Sequence, residues 1–414
     1  MKNHTPTSAP AYELEIEKLV YGGWGLGRHE GKVVFVPFTV PGDRVQVRTE
    51  LEKKTYLRAV PVRIMKPGPG RQDPPCPYFG RCGGCQWQQL DYPRQVDAKR
   101  QILDALFRHR FPESAEMLDR VRGCPFPYHY RSRARVHLQS RHGVLKAGFF
   151  RHQSHDVEDI EACPLLRPAL NDALTHIRRL QHERPAPLRP AQVDLASCED
   201  DGQWAFEETG PVPPTGAGWR AGAAMRLLRK VGRFRYWVTP SVFFQANDFM
   251  VAELVEVVMG LVPASACDSA LELFAGVGLF SLPLARRFEK VVAVEASEAA
   301  SRLCRENALE ASNGKLQAIC AAAGAWMSAA GTISPPAYDL ILMDPPRGGA
   351  GKEVMQRLAE WAPETIVYVS CDPQTLVRDL GTLPRSMYRI DRLEGLDLFP
   401  QTYHFETVVR LRRV

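Results

Sequence analysis

Apolar and polar residues alternate with three different rhythms along this chain. From Ala11 to about Lys66 the period is two, as in Glu13-Leu14-Glu15-Ile16-Glu17, Lys32–Pro37, Asp43–Val47 and Leu57–Val62. Glycine-rich breaks such as Tyr21-Gly22-Gly23-Trp24-Gly25-Leu26-Gly27 separate these runs. Short alternating runs with glycine turns predict strands that close into a small barrel of OB type, a frequent platform for nucleic acids. The same strands would also serve a purely structural barrel.

Pro67-Gly68-Pro69-Gly70 breaks this pattern as a linker. From Tyr92 to about Phe107 the spacing becomes helical, with charged and apolar residues interleaved. Residues from about Val121 to Thr239 read mostly as strands, with Tyr130–Leu138 the clearest. The proline-rich stretch His182–Gly218 carries little pattern.

After Phe243 apolar strands alternate with helices. Helix Phe249–Leu261 precedes strand Ala270–Phe274, turn Ala275-Gly276-Val277-Gly278, helix Phe280–Arg287 and strand Lys290–Glu295. Strands Tyr338–Asp344 and Thr365–Ser370 follow. That alternation predicts an α/β, doubly wound parallel sheet whose ligands lie beyond the carboxyl ends of its strands. The expected organisation is a disordered tail 1–10, a barrel 11–67, and a central cysteine-bearing unit from 68–90 and 121–240. A helical segment 91–120 is expected to pack on the catalytic unit 241–414.

Composition narrows the class. A 45% hydrophobic content lets units of this size bury a core, and the net charge of +6 suits a polyanionic partner. No run is long enough to span a membrane, and the polar start lacks a signal-peptide block, so the cytoplasm is the expected compartment. Ten cysteines there argue for metal binding or catalysis over a disulfide framework.

Four constellations carry chemistry. Gly276 and Gly278 follow a strand and open a helix, and Glu295 closes the next strand where an acid would meet a ribose hydroxyl. Without a third glycine to seat a pyrophosphate, the turn favours S-adenosylmethionine over a dinucleotide. Cys371 ends an apolar strand in Val369-Ser370-Cys371-Asp372-Pro373. A nucleophilic thiol needs activation, and the helix expected after Pro373 would lower its pKa. Cys76-x5-Cys82-x2-Cys85, with Cys163 as a fourth, is a thiolate set for an iron–sulfur cluster or Zn²⁺. Arg131, Arg133 and Arg135 alternate on one predicted strand, so they share a face that could meet phosphates or merely be solvated.

These motifs together resemble the RNA 5-methyluridine methyltransferases, specifically the iron–sulfur branch that modifies 23S ribosomal RNA. The resemblance spans nearly the whole chain. It rests on a leading TRAM-type barrel, Cys82-Gly83-Gly84-Cys85, Tyr130-Arg131-Ser132-Arg133, Phe243-Phe244-Gln245-Ala246-Asn247 and Leu273–Gly278. Asp344-Pro345-Pro346-Arg347, Ser370–Pro373 and Asp397–Glu406 are its most specific parts. It implies Cys371 as nucleophile, Glu406 as base, and Asp344 at the uracil and cofactor. It assigns Gln245, Phe274 and Glu295 to S-adenosylmethionine, and Cys76, Cys82, Cys85 and Cys163 to a [4Fe–4S] cluster. The chain departs from the family pattern at Leu279, at Ala321–Ala323 and at Phe405. Two rivals remain: the same chemistry on the T-loop uridine of tRNA, and a non-catalytic, cluster-bearing RNA-binding protein.

Overall fold

A computed structural model describes residues 10–114, 117–118, 120–141, 144–183, 191–198, 202–208, 226–263, 267–312, 314–331 and 337–414. Nearly all of the expected disordered tail, and most of the proline-rich stretch, lie outside the described residues.

The period-two segments form one six-stranded sheet that curls into a half-barrel. Its order is Tyr12–Glu15, Arg44–Glu52, Tyr56–Lys66, Lys32–Pro37, Trp24–His29, Lys18–Val20. The inward positions of the alternation, Leu14, Ile16, Val34, Val36, Val45 and Val47, make its core. The Glu17 amide donates to Leu26 O at 2.8 Å, linking the end of the first strand to the far side of the curl.

A second sheet is antiparallel throughout: Val157–Asp159, Val144–Phe150, Arg133–Arg141, Ala191–Ser197, Trp204–Glu208. Helix Pro168–Glu183 covers one face with Leu170, Leu174 and Ile177. The arginine-bearing strand starts at Arg133, later than predicted, because Arg131 is held by single bridges to Leu166 and Asn247 instead of a ladder.

The last sheet has eight strands in the order Leu316–Cys320, Phe288–Glu295, Cys267–Leu273, Leu340–Met343, Thr365–Ser370, Glu406–Arg413, Tyr388–Leu396, Val121–Arg122. The first five are parallel, and Glu406–Arg413 enters antiparallel. Val121–Arg122, expected in the central unit, instead extends this sheet by pairing with Gly395 and Leu396. The helix predicted over Phe280–Arg287 is only Ser281–Leu284. Strand order reverses between Cys267–Leu273 and Leu340–Met343, the switch point where open α/β sheets bind ligands. No helix among the described residues is long and apolar enough to cross a membrane.

Helix Tyr92–Arg110 starts at Asp91, whose side chain accepts from the Arg94 amide, with Pro93 in the first turn. It carries Lys99, fully buried, whose Nζ sits 2.6 Å from the equally buried Asp397 and 3.1 Å from Phe399 O. Tyr92 donates to the other Asp397 oxygen at 3.0 Å. A buried charge stripped of its partner typically costs about 3–5 kcal/mol. Lys99→Met should therefore lower stability by about that much in a urea titration, and a loss below about 1 kcal/mol would show that Asp397 is not held out of water.

Candidate active site

Strand direction assembles the site. Thr365–Ser370 is buried along its length and runs out at Cys371. Glu406–Arg413 runs against it with Ser370 opposite Thr407. Continuing that register by one residue puts Cys371 beside Glu406, although 34 residues separate them in sequence. Leu340–Met343 lies on the other side of the same strand and runs out at Asp344, whose amide reaches Leu273 O at 3.4 Å. Cys371, Glu406 and Asp344 thus share one rim of the sheet.

Burial and mutual repulsion set the charges there. Glu406 is 2% exposed, and one of its oxygens has no hydrogen-bond partner. Burial raises the pKa of Asp344 and Glu406 alike, and the Asp344 charge lifts Glu406 further. Burial pushes the Cys371 thiol up to about 12, with Glu406 and Asp344 adding to the rise and Arg347 opposing it.

This corrects the expectation of an activated thiol. Helix Pro373–Leu380 does begin after Cys371, but the Asp372 carboxylate caps it, accepting the Gln374 and Thr375 amides at 3.0 Å each. Those amides are spent on Asp372, and its charge raises the thiol further. Arg347 is a cation that sequence reading quoted without giving it a role. Its Nη2 lies 3.3 Å from His404 Nε2, and burial beside that charge drives His404 down to about 3, so the ring is neutral.

The cofactor side lies around the switch point. Phe274 takes φ +61, Gly276 +55 and Gly278 +94, so three residues of the turn adopt left-handed backbone. A Cβ at Gly278 would stand 3.1 Å from Cys304 Sγ, while one at Gly276 would meet nothing within 4 Å. Glu295 accepts from the Gly276 amide at 2.9 Å and the Ser297 amide at 2.7 Å. Gln245 is 3% exposed, and its buried carbonyl oxygen has no partner. Its neighbour Phe244 packs on Tyr236, whose hydroxyl donates to Leu279 O at 2.9 Å, tying this segment to the glycine turn. An open turn, an orphaned buried amide oxygen and an acid on the next strand fit an adenosyl cofactor. Leu279 is core, and Ala322 begins a helix without a side-chain cap. Glu272, not foreseen, lies buried beneath the turn, accepts from Ser281 Oγ and is pushed up to about 8 by burial.

The cysteines gather elsewhere. Cys76, Cys82, Cys85 and Cys163 line one cavity of about 370 Å³, together with Arg131 and Arg135. Backbone bonds shape it: the Gly83 amide donates to Phe150 O at 2.8 Å, and the Cys163 amide to Asn171 Oδ1 at 2.9 Å. Burial raises the Cys82 thiol to about 11, and the charges of Cys163 and Cys76 add to it. Among the described residues, no three Cys, His, Asp or Glu side chains are disposed to grip a single metal ion.

The three arginines do share the outward face, alternating with buried Ser132, Ala134 and Val136. They are not equally available. Arg133 donates to Pro240 O at 2.6 Å and to Val242 O, and burial lowers its pKa to about 10. Arg135 forms a two-point pair with Asp194 at 2.8 and 2.9 Å, while Arg131 Nε donates to Arg133 O.

The fold and rim define a class: an α/β fold of the methyltransferase type, with Cys371, Glu406 and Asp344 at its strand ends. A family model described as tRNA (Uracil-5-)-methyltransferase matches residues 226–414, and the TRAM domain model matches 11–62. The chain is 32% identical to the 23S rRNA (uracil(1939)-C(5))-methyltransferase RlmD of Alkalilimnicola ehrlichii, covering 97% of this chain and 96% of that one. It is 31% identical to the enzyme of the same name from Pectobacterium atrosepticum, covering 93% and 90%. The solved Pyrococcus abyssi tRNA (uracil-54, C5)-methyltransferase, in complex with S-adenosyl-L-homocysteine, shares the fold at TM-score 0.72 and 24% identity, over 97% and 100% of the two chains. The chain belongs to the RNA uracil-C5 methyltransferase family, whose methyl donor is S-adenosylmethionine.

With its pKa near 12 the free thiol keeps its proton at neutral pH. Alkylation of Cys371 by iodoacetamide, followed on its peptide by mass spectrometry, should keep climbing above about pH 9, where an ordinary thiol levels off. Wherever Glu406 is ionised its charge opposes the thiolate, so Glu406→Gln should speed alkylation at the alkaline end of that profile. A profile that levels off at the ordinary thiol value would show that the acids do not surround the sulfur.

Proposed function

We propose that this protein methylates carbon 5 of a uracil in 23S rRNA through a covalent bond between Cys371 and carbon 6. The register that sets Cys371 against Glu406, with Asp344 on the adjoining strand, is the observation that carries this reading. Near-full-length identity to two enzymes named for 23S rRNA supports that substrate.

Carbon 5 of uracil is a weak nucleophile. Addition of the Cys371 sulfur to carbon 6, its proton passing to the neighbouring Asp344 carboxylate, pushes an electron pair toward carbon 5 and O4, making carbon 5 able to take a methyl group. When bound, S-adenosylmethionine supplies that methyl on an electrophilic sulfonium; Gln245, Phe274, Gly276, Gly278 and Glu295 would hold it. Glu406 then removes the proton from carbon 5, and the electrons of that bond expel the Cys371 sulfur. Asp344, whose pKa burial raises, can hold the proton taken from the thiol and then donate a hydrogen bond to a uracil oxygen. The target base must leave its stack, at a cost of a few kcal/mol that is least in a loop.

The four-cysteine cavity is proposed to hold a [4Fe–4S] cluster. Four thiols lining one cavity supply the ligand number that a [4Fe–4S] cluster needs. Arg131, Arg133 and Arg135 are proposed as RNA contacts. The Arg135 guanidinium is half exposed while it pairs with the buried Asp194, so its outer edge can meet a phosphate with that pair still closed.

Cys371→Ala should abolish both methylation and the denaturation-resistant adduct with 5-fluorouridine RNA, and turnover surviving in that variant would end the covalent reading. Glu406→Gln should still form an adduct and stall before release. A deletion strain should lack one 5-methyluridine in 23S rRNA while keeping that of tRNA, and the opposite pattern would move the substrate to tRNA. Protein purified without oxygen should be brown, with the colour and iron lost together in Cys85→Ser. Colourless protein containing zinc would overturn the cluster.

A further inference from the structure

The half-barrel places a side chain inside the catalytic rim. Tyr21 ends the strand Lys18–Val20 at a tight turn whose next residues, Gly22 and Gly23, take φ +97 and +86. Its ring stands edge-on to Tyr403, with centroids 5.2 Å apart at 86°, and to Phe405, 6.3 Å apart at 88°. Those two rings flank His404 and immediately precede Glu406. The Tyr21 hydroxyl is buried without a well-formed hydrogen bond and faces the Asp372 and Cys371 side chains.

The turn itself is wedged in place. A Cβ on Gly23 would lie 2.9 Å from Gln86 Cβ and 3.1 Å from Tyr403 Cδ1. Trp87 Nε1 closes the wedge on Gly23 O at 3.4 Å. Beneath it, the Gln86 and Trp87 amides both donate to Gln401 O at 3.1 Å, so the floor of the wedge is the segment that leads to the base. Edge-to-face aromatic pairs favour one relative orientation of their rings, enough to choose between side-chain rotamers in a short loop.

We infer that Tyr21 is a positioning residue for Glu406: the ring supplied by the half-barrel holds the Tyr403–Phe405 segment so that the carboxylate meets carbon 5. This rests on the covalent reading above. It makes the barrel part of the chemistry as well as a surface for RNA, because a barrel that is absent or displaced leaves the base loop without one of its walls. A base displaced by a fraction of an ångström slows proton removal while leaving the sulfur free to add.

The experiment uses the full-length protein and an unmodified 23S rRNA transcript at saturating concentration, under single-turnover conditions. In Tyr21→Ala the rate of 5-methyluridine formation should fall about tenfold to a hundredfold. RNA affinity should stay within about threefold of wild type, and a denaturation-resistant adduct should build up on ordinary uridine RNA, as in Glu406→Gln. Tyr21→Phe keeps the ring and should stay within about threefold of the wild-type rate. Weaker RNA binding with an unchanged saturated rate, or slow turnover without adduct, would overturn the inference. Should Tyr21→Ala fail to fold, Tyr21→Leu removes the aromatic edge at similar volume and carries the same outcomes. If Glu406→Gln itself traps no adduct, the covalent reading falls and takes this inference with it. If it traps adduct while Tyr21→Ala and Tyr21→Leu do not, only the inference falls.

Discussion

Everything at the rim depends on one antiparallel pairing. In a parallel sheet all strands leave by the same edge, so residues at strand ends arrive there with chain already spent. Glu406–Arg413 alone among the neighbours of Thr365–Ser370 runs the other way, and its first residue stands where the parallel strands finish. Six consecutive buried positions, Glu406 to Leu411, leave that strand no solvent face on which to slip. A shift of one residue would move every side chain to the opposite face and take Glu406 away from Cys371. Core packing of Val408, Val409 and Leu411 therefore sets the distance on which the chemistry turns.

The same packing decides the resting charge. Two acids and a thiol share a dry rim with the nearby exposed cation Arg347, and burial pushes all three acids toward their neutral forms. A sulfur that stays protonated until substrate arrives is protected from stray alkylation and oxidation. In the proposed reaction the entering uracil offers hydrogen-bond partners to groups such as the orphaned Glu406 oxygen, and the proton on sulfur has the Asp344 carboxylate close by to receive it. The site is ordered for its reactive state by the same repulsion that keeps it quiet beforehand.

Local rhythm made much of this legible. The period of two at residues 11–66 and the runs of apolar strand after Phe243 each report on single elements, and those elements formed with small shifts at their ends. Cys371, Asp344 and Glu406 stood out as motifs, but their meeting depends on a register between strands that no local pattern encodes. The thiol's pKa was misjudged for a similar reason. A helix start was readable after Cys371, yet which acceptor takes its amides is a matter of side-chain geometry, and Asp372 takes them. Arg133 shares a strand face with Arg131 and Arg135, yet its guanidinium reaches the carbonyls of Pro240 and Val242, more than a hundred residues on, which no local pattern shows. Tyr21 gave no signal, since nothing in a glycine-rich barrel turn shows what will dock on it.

The polar contacts behind the rim are more numerous than stability requires. Gln401 sits at φ +69, a conformation that costs a non-glycine residue about 1 kcal/mol or more. It trades two hydrogen bonds with Gln95, at 2.9 and 3.0 Å, and accepts two more from the Gln86 and Trp87 amides. Asp397 is locked by Lys99 and Tyr92, and Pro400 O accepts from Tyr130 at 3.1 Å. A hydrophobic filling of the same volume could match this network in free energy, because buried ion pairs seldom beat well-packed apolar side chains. What apolar contacts lack is direction: they tolerate sliding, whereas a fully satisfied set of buried donors and acceptors admits one arrangement. In the loop that delivers Glu406 a unique arrangement matters more than a further kilocalorie, and these directional bonds hold it.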